Sequence, residues 1–390
     1  MADRIRQLAH QRGLLQTPAF VVDERRLDAN VAAAIAAVRG ERTRLLFAMK
    51  SFSIRSGLVR IARGLDGLHV SSLFEARLAR EVVGPQGLVH LTTPSMRSEE
   101  LEELCSLCDY ISFNSLSQWE MCKDRIQGDV ACGLRVNPQL SLLTDARYDP
   151  CRRGSKLGAP LDQLAEIVRA TPSRLEGIDG LLVHTNCDAT DFEPLVQTVH
   201  RLESRLAPLL ERATWINLGG GYLFDEASDF APLRETIDHL RSRYDAELLF
   251  EPGAAISRAA GYIVSEVLDV FESDGTSVAV LDTSVNHMPE VFEYQFAPEV
   301  LDTTDGGRYR YLLAGATCLA GDLFGQYTFE APLRPGSRIV FEEVGAYTMV
   351  KASMFNGVNL PSIYRLTPEG EIALDKTFTY TDYLSHCGAD

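Results

Sequence analysis

Positive charge is in short supply in this 390-residue chain: 38 Lys and Arg face 54 Asp and Glu, a net charge of −16. Such a surface repels nucleic acid and suits a cationic small molecule. Long apolar runs are missing too. No stretch of about 18 apolar residues occurs, and the polar segment Met1–Arg12 has no apolar signal core. These absences predict a soluble, cytoplasmic protein with no membrane or nucleic-acid partner. Eight cysteines over this length are too scattered for a disulfide framework. Cys105 and Cys108 have metal-ligand spacing, but no second Cys/His pair completes a site, and both follow the helical pattern begun at Glu99. No metal is expected.

What the chain does have is alternation. Short apolar runs such as Leu45–Met49, Gly67–Val70, Leu88–Leu91, Tyr110–Phe113, Val130–Val136, Gly180–His184, Trp215–Leu218 and Leu248–Phe250 read as buried strands. Helical patterns separate them, including Leu73–Val83, Leu161–Ala170 and Phe192–Glu211. At least eight such units imply a parallel sheet with helical crossovers, and that number favours a closed (β/α)8 TIM-type barrel. A strand at Thr17–Val22, followed by a helix capped by Asp23, is expected to open it. Past Gly261 the texture turns to β-rich segments separated by Asp-Gly, Gly-Gly and Pro-Gly turns. The expectation is a barrel over 17–260 and a C-terminal all-β barrel or sandwich over 261–390, joined by residues 1–16.

Several residues at strand ends ask for a chemical explanation. Lys50 closes an apolar strand, where an unpaired buried ammonium is costly unless the amine is there to react. His184 follows the apolar run Leu181–Val183. Gly219, Gly220 and Gly221 follow Trp215–Leu218, and glycines let successive N–H groups converge on an anion. Glu251 opens a Glu-Pro-Gly turn. Alone, each is commonly structural: a snorkelling lysine, a core histidine, a turn, a loop acid.

Together with AMKSFS (48–53), SSLFEA (71–76), GLRVNP (133–138), VHTNC (183–187), HMPEV (287–291), ATCLAGD (316–322) and AYTMVKASMFNGV (346–358), they form an ordered set. This set resembles the fold-type III decarboxylases that use pyridoxal 5′-phosphate (PLP), and among them the carboxynorspermidine and carboxyspermidine branch. The resemblance implies that Lys50 carries the cofactor, Glu251 pairs with its ring nitrogen and His184 stacks on its ring. Gly219–Gly221 and Tyr347 would bind its phosphate. Cys318 resembles the proton donor, which in the family comes from the partner subunit, so a homodimer with shared active sites is implied. Asp322 resembles the acid that reads the substrate's distal amine, with Glu290 beside it in that role. Phe355 and Asn356 resemble site-wall residues.

The expected activity is decarboxylation of carboxynorspermidine or carboxyspermidine to norspermidine or spermidine, within polyamine biosynthesis. Departures leave room for a different substrate. Ala254 stands where many relatives have an arginine after Glu-Pro-Gly, so the neutralisation of the phosphate is unassigned. Cys187-Asp188 replaces the usual Cys-Glu, and the segment after Glu290 diverges. Another 3-amino-3-carboxypropyl or diamino-acid substrate, as in natural-product or siderophore synthesis, is the alternative. A racemase would need a tyrosine as its second base, and a non-catalytic relative would usually have lost Lys50 or the cofactor contacts.

Overall fold

The computed structural model describes residues 2–11, 13–38 and 40–388. Both ends of the polar segment Met1–Arg12 lie outside them. The chain divides into two compact units, one of Asp28–Lys50 with Leu58–Ile256, the other of Met1–Leu27, Ser51–Gly57 and Ser257–Asp390.

The first unit is a closed parallel barrel. Its strands are Thr43–Ala48, Gly67–Val70, Leu88–Thr93, Tyr110–Phe113, Ala131–Asn137, Gly180–Val183, Trp215–Asn217 and Glu247–Phe250. Each pairs in parallel with its neighbours, and pairing of Glu247–Phe250 with Thr43–Ala48 closes the ring. A two-residue strand, Ala159–Pro160, adds to the edge of Ala131–Asn137. Helices fill the crossovers, as the alternating pattern requires.

The interior is layered by the two-residue period of each strand. Leu46, Leu182, Trp215 and Leu249, with Leu88, Tyr110 and Ala131 against them, make an apolar plug near the strand starts. Two residues further on, the same faces carry polar groups: His184 after Leu182, Asn217 after Trp215, Glu251 after Leu249, His90 after Leu88 and Ser112 after Tyr110. The plug is dense. A Cβ on Gly180 would lie 2.0 Å from the Trp215 ring. The barrel therefore has a packed floor and a polar mouth.

The second unit is built on one eight-stranded sheet. Its path runs Leu323–Phe329, Tyr309–Ala314, Thr276–Leu281, Gly261–Ser273, Ala19–Asp23, Ser362–Leu366 and Ile372–Lys376, with Arg338–Phe341 pairing to Gly261–Ser273. Ile5, Leu8, Ala19, Val21, Val264 and Leu366 share its buried core.

Here one sequence expectation needs correction. The strand foreseen at Thr17–Val22 is Ala19–Asp23, and it lies inside this sheet, between Gly261–Ser273 and Ser362–Leu366. It does not open the barrel. A five-residue apolar strand that is buried throughout carries no mark of which sheet it will join. Asp23 does cap the following helix, Glu24–Val38, accepting the Arg25 N–H at 2.9 Å.

Candidate active site

The polar mouth of the barrel gathers four of the expected groups. Lys50 sits in a short 3-10 turn directly after Thr43–Ala48. Its side chain is open to solvent, yet protein crowds around it. That crowding, then Arg135, lowers the pKa of its amine, while Glu251, Cys187 and Glu75 pull the other way. An amine in an open recess with a weakened hold on its proton is disposed to react.

Glu251 is 6% exposed. Its Oε1 accepts from Asn217 Nδ2 at 2.5 Å and lies 3.0 Å from His90 Nδ1, while its Oε2 is 3.5 Å from His69 Nε2. Burial opposes its ionisation, but His69, His90 and Asn217 outweigh burial and bring its pKa to about 2. His90 is held from its far side by Ser112, whose Oγ is 2.8 Å from Nε2. A Ser112 hydroxyl donating to Nε2 leaves the proton on Nδ1, where it faces Glu251. One carboxylate oxygen is thus engaged twice, and the other is the less encumbered.

Asn217 also accepts the Gly219 N–H through Oδ1, at 2.8 Å. Gly220 donates its N–H to His184 Nδ1 at 3.1 Å. That bond requires an unprotonated Nδ1, in keeping with a His184 pKa driven well below 6.5 by burial and then by Lys50 and Arg135. The glycine triplet tolerates no side chain: Cβ atoms on Gly219, Gly220 and Gly221 would fall 2.4, 2.1 and 2.2 Å from backbone oxygens of Val183, Glu251 and Asn186. Gly219 and Gly221 also hold φ of 69° and 92°.

Sequence reasoning singled out none of Arg135, His69, His90, Ser112 and Asn217. The available signal was a polar residue inside an apolar strand, at the same parity as the strand-end functional residue. His69 is 5% exposed, and neither of its ring nitrogens has a hydrogen-bond partner. Its pKa falls to about 4 by burial.

The other expected residues belong to the second unit. Tyr347, at φ 53°, donates its N–H to the carbonyl of Ser51, the residue after Lys50, at 2.7 Å. Cys318 is exposed in the loop between Tyr309–Ala314 and Leu323–Phe329, and its N–H donates to Asn356 Oδ1 at 2.8 Å. Phe355 is 45% exposed beside Asn356. Glu290, in helix Pro289–Tyr294, lies 3.4 Å from Lys351 Nζ, which also pairs with Glu293. Asp322 is 2% exposed and hydrogen-bonded to its own unit. Cys105 and Cys108 are buried thiols, and burial pushes Cys108 up to about 12. Among the described residues no helix is long and apolar enough to cross a membrane.

Residues 19–345 match the family described as pyridoxal-dependent decarboxylase, C-terminal sheet domain. The chain is 36% identical over 380 residues to carboxyaminopropylagmatine decarboxylase of Synechocystis sp., an alignment covering 96% of each. It is 31% identical to carboxynorspermidine/carboxyspermidine decarboxylase of Herminiimonas arsenicoxydans, covering 95% of this chain and 99% of that one. Among solved structures, carboxynorspermidine decarboxylase from Campylobacter jejuni, complexed with norspermidine, superposes with a TM-score of 0.87 at 28% identity. It covers 95% of this chain and all of that one.

Proposed function

The chain belongs to the pyridoxal-dependent decarboxylases, PLP-requiring carboxy-lyases, and from that premise we propose that it removes the α-carboxylate of a 3-amino-3-carboxypropyl polyamine. Carboxynorspermidine and carboxyspermidine are the first substrates to test. The observation that carries this reading is the ionised Glu251, tied through Asn217 to the glycine triplet, within the electrostatic reach of Lys50.

The residues fit PLP. Lys50 offers an accessible amine for its aldehyde, and the Glu251 carboxylate offers Oε2 to its ring nitrogen. The triplet, where any Cβ would collide, leaves close backbone approach for its phosphate. His184 would meet the ring, and Tyr347 the phosphate. The chemistry PLP supplies when bound is a sink for the electron pair that the departing carboxylate leaves behind.

The chain's own groups do the rest. Glu251, kept ionised by its histidine and amide donors, holds the ring-nitrogen proton in place. Arg135 adds positive charge near Lys50 and favours anionic groups in the recess. Cys318 holds the proton destined for the substrate Cα. In a homodimer with shared sites it is Cys318 of the partner subunit that reaches each barrel. The Glu290–Lys351–Glu293 group keeps one net negative charge and suits a cationic tail, with Phe355 and Asn356 as walls.

A second reading rests on the 36% identity to carboxyaminopropylagmatine decarboxylase. Its substrate tail would end in a guanidinium rather than an amine. One experiment separates the two. PLP-loaded protein is incubated with carboxynorspermidine, carboxyspermidine or carboxyaminopropylagmatine, and products are weighed by mass spectrometry with Lys50→Ala as control. Loss of CO2 by the wild type alone establishes the reaction, and relative kcat/KM ranks the substrates. No loss from any of the three rejects the proposal.

A further inference from the structure

Asp322 was expected to read the distal amine of the substrate, and its surroundings point elsewhere. The carboxylate is 2% exposed. Its Oδ1 accepts the Val285 N–H at 2.8 Å. Its Oδ2 accepts the Ser284 hydroxyl at 2.9 Å, the Thr317 N–H at 3.0 Å and the Thr317 hydroxyl at 2.5 Å. Four donors nearly exhaust what a carboxylate can accept. A substrate ammonium would have to displace one of them and open a path to a group that solvent does not reach.

Two of these bonds go to Thr317, which precedes Cys318, and the other two tie Asp322 to the Ser284–Val285 segment. Five consecutive amides in this loop have acceptors: Gly315 on the Asp322 carbonyl, Ala316 on Thr283, Thr317 on the Asp322 carboxylate, Cys318 on Asn356 Oδ1 and Leu319 on the Thr317 hydroxyl. The exposed cysteine thus sits on a backbone whose neighbouring amides are all engaged, which opposes local opening. Gly315 belongs to the same arrangement, since a Cβ there would sit 2.1 Å from Asp322 Oδ1. The loop is pinned on one side by a buried carboxylate and on the other by Asn356, which holds φ 56° and accepts the Cys318 N–H through Oδ1.

We infer that Asp322 is a positioning residue that fixes the Cys318 loop, with Asn356 as its counterpart, and that it does not bind the substrate's tail. This rests on the reading of Cys318 as proton donor. Recognition of the tail then falls to other groups, for which Glu290 and Glu293, on one helix beside Lys351, are the candidates.

The test uses full-length, PLP-loaded Asp322→Asn, with Thr317→Val as the milder variant should the first fail to fold. Two quantities are read: amide hydrogen exchange over 315–319, and the kcat and KM for carboxynorspermidine. An asparagine keeps one acceptor oxygen and puts an NH2 group in place of the other, so in either orientation it cannot satisfy all four donors. A lost charged hydrogen bond corresponds to about 10- to 100-fold, so exchange over the loop should rise about 10-fold or more in Asp322→Asn. The kcat should fall about 10- to 100-fold, with KM held within about threefold. Thr317→Val should move both in the same direction by less. Unchanged exchange in both folded variants overturns the inference. So does a KM raised about 100-fold at constant kcat, the mark of a lost tail contact. Exchange is read without turnover, so a wrong choice of substrate cannot be mistaken for failure of this inference.

Discussion

Asn217 donates from Nδ2 to Glu251 Oε1 at 2.5 Å, and the same side chain accepts the Gly219 N–H through Oδ1 at 2.8 Å. The backbone already ties the two segments, since the Glu251 N–H donates to the Gly219 carbonyl at 2.7 Å. The Asn217 amide adds a side-chain link that holds the carboxylate itself against the triplet.

Replacing Asn217 with Ala removes a hydrogen bond to a charged group, worth about 2 kcal/mol, and should raise the Kd for PLP about 30-fold. Asn217→Asp should be worse, because a second carboxylate would face Glu251. Titration of the cofactor's absorbance reads both, and wild-type affinity in both variants would dismiss the coupling.

Glu251→Gln keeps the shape and loses the charge. Decarboxylation should slow about 100-fold or more at saturating PLP, on the scale of losing one aimed electrostatic group. The absorbance of the bound cofactor should change with it. A variant with wild-type kcat would remove Glu251 from the chemistry.

Gly220→Ala places a Cβ 2.1 Å from the Glu251 carbonyl oxygen. Relief needs a backbone shift of the triplet, at a cost of about 1–3 kcal/mol, so PLP affinity should drop about 10- to 100-fold. Calorimetry with PLP checks this, and a fold intact by circular dichroism shows that the loss is local.

Acid should destabilise the protein in two separate windows. His69 and His287 have pKa values lowered to about 4 by burial. Their folded forms bind fewer protons than the unfolded chain between about pH 6.5 and 4, so stability falls as pH drops through that range. At pH 5 the loss is about 2 kcal/mol per histidine. Glu251, lowered to about 2, keeps its contribution down to about pH 4.5 and loses it below. Urea unfolding at pH 7 and pH 5 should show the first window, and His69→Gln should shrink it. Equal midpoints at both pH values for the wild type would contradict it.

The proposed homodimer with shared sites makes a stoichiometric prediction. Lys50→Ala and Cys318→Ala, each inactive, should regain about a quarter of wild-type activity when mixed one to one and allowed to exchange subunits. Half of the dimers would then be mixed, with one intact site each. No recovery, with exchange shown by mass spectrometry of the dimers, would place both residues on one chain.

The sequence by itself determined the barrel, the sheet-rich second unit, and the four groups at the barrel mouth. Strand ends are legible because an apolar run stops at a residue that burial alone cannot explain, as at Lys50, His184 and Glu251. Tertiary structure decided what period and motif leave open. Ala19–Asp23 joined the second sheet because a buried apolar strand fits any central position, and only its partners, Gly261–Ser273 and Ser362–Leu366, settle which. His90, Ser112 and Asn217 gained a shared task from barrel closure, which brings the interior faces of separate strands within hydrogen-bond reach. For Asp322 the motif suggests a substrate contact, whereas its burial and four hydrogen-bond donors, two from Thr317 and two from Ser284 and Val285, support the inferred positioning role.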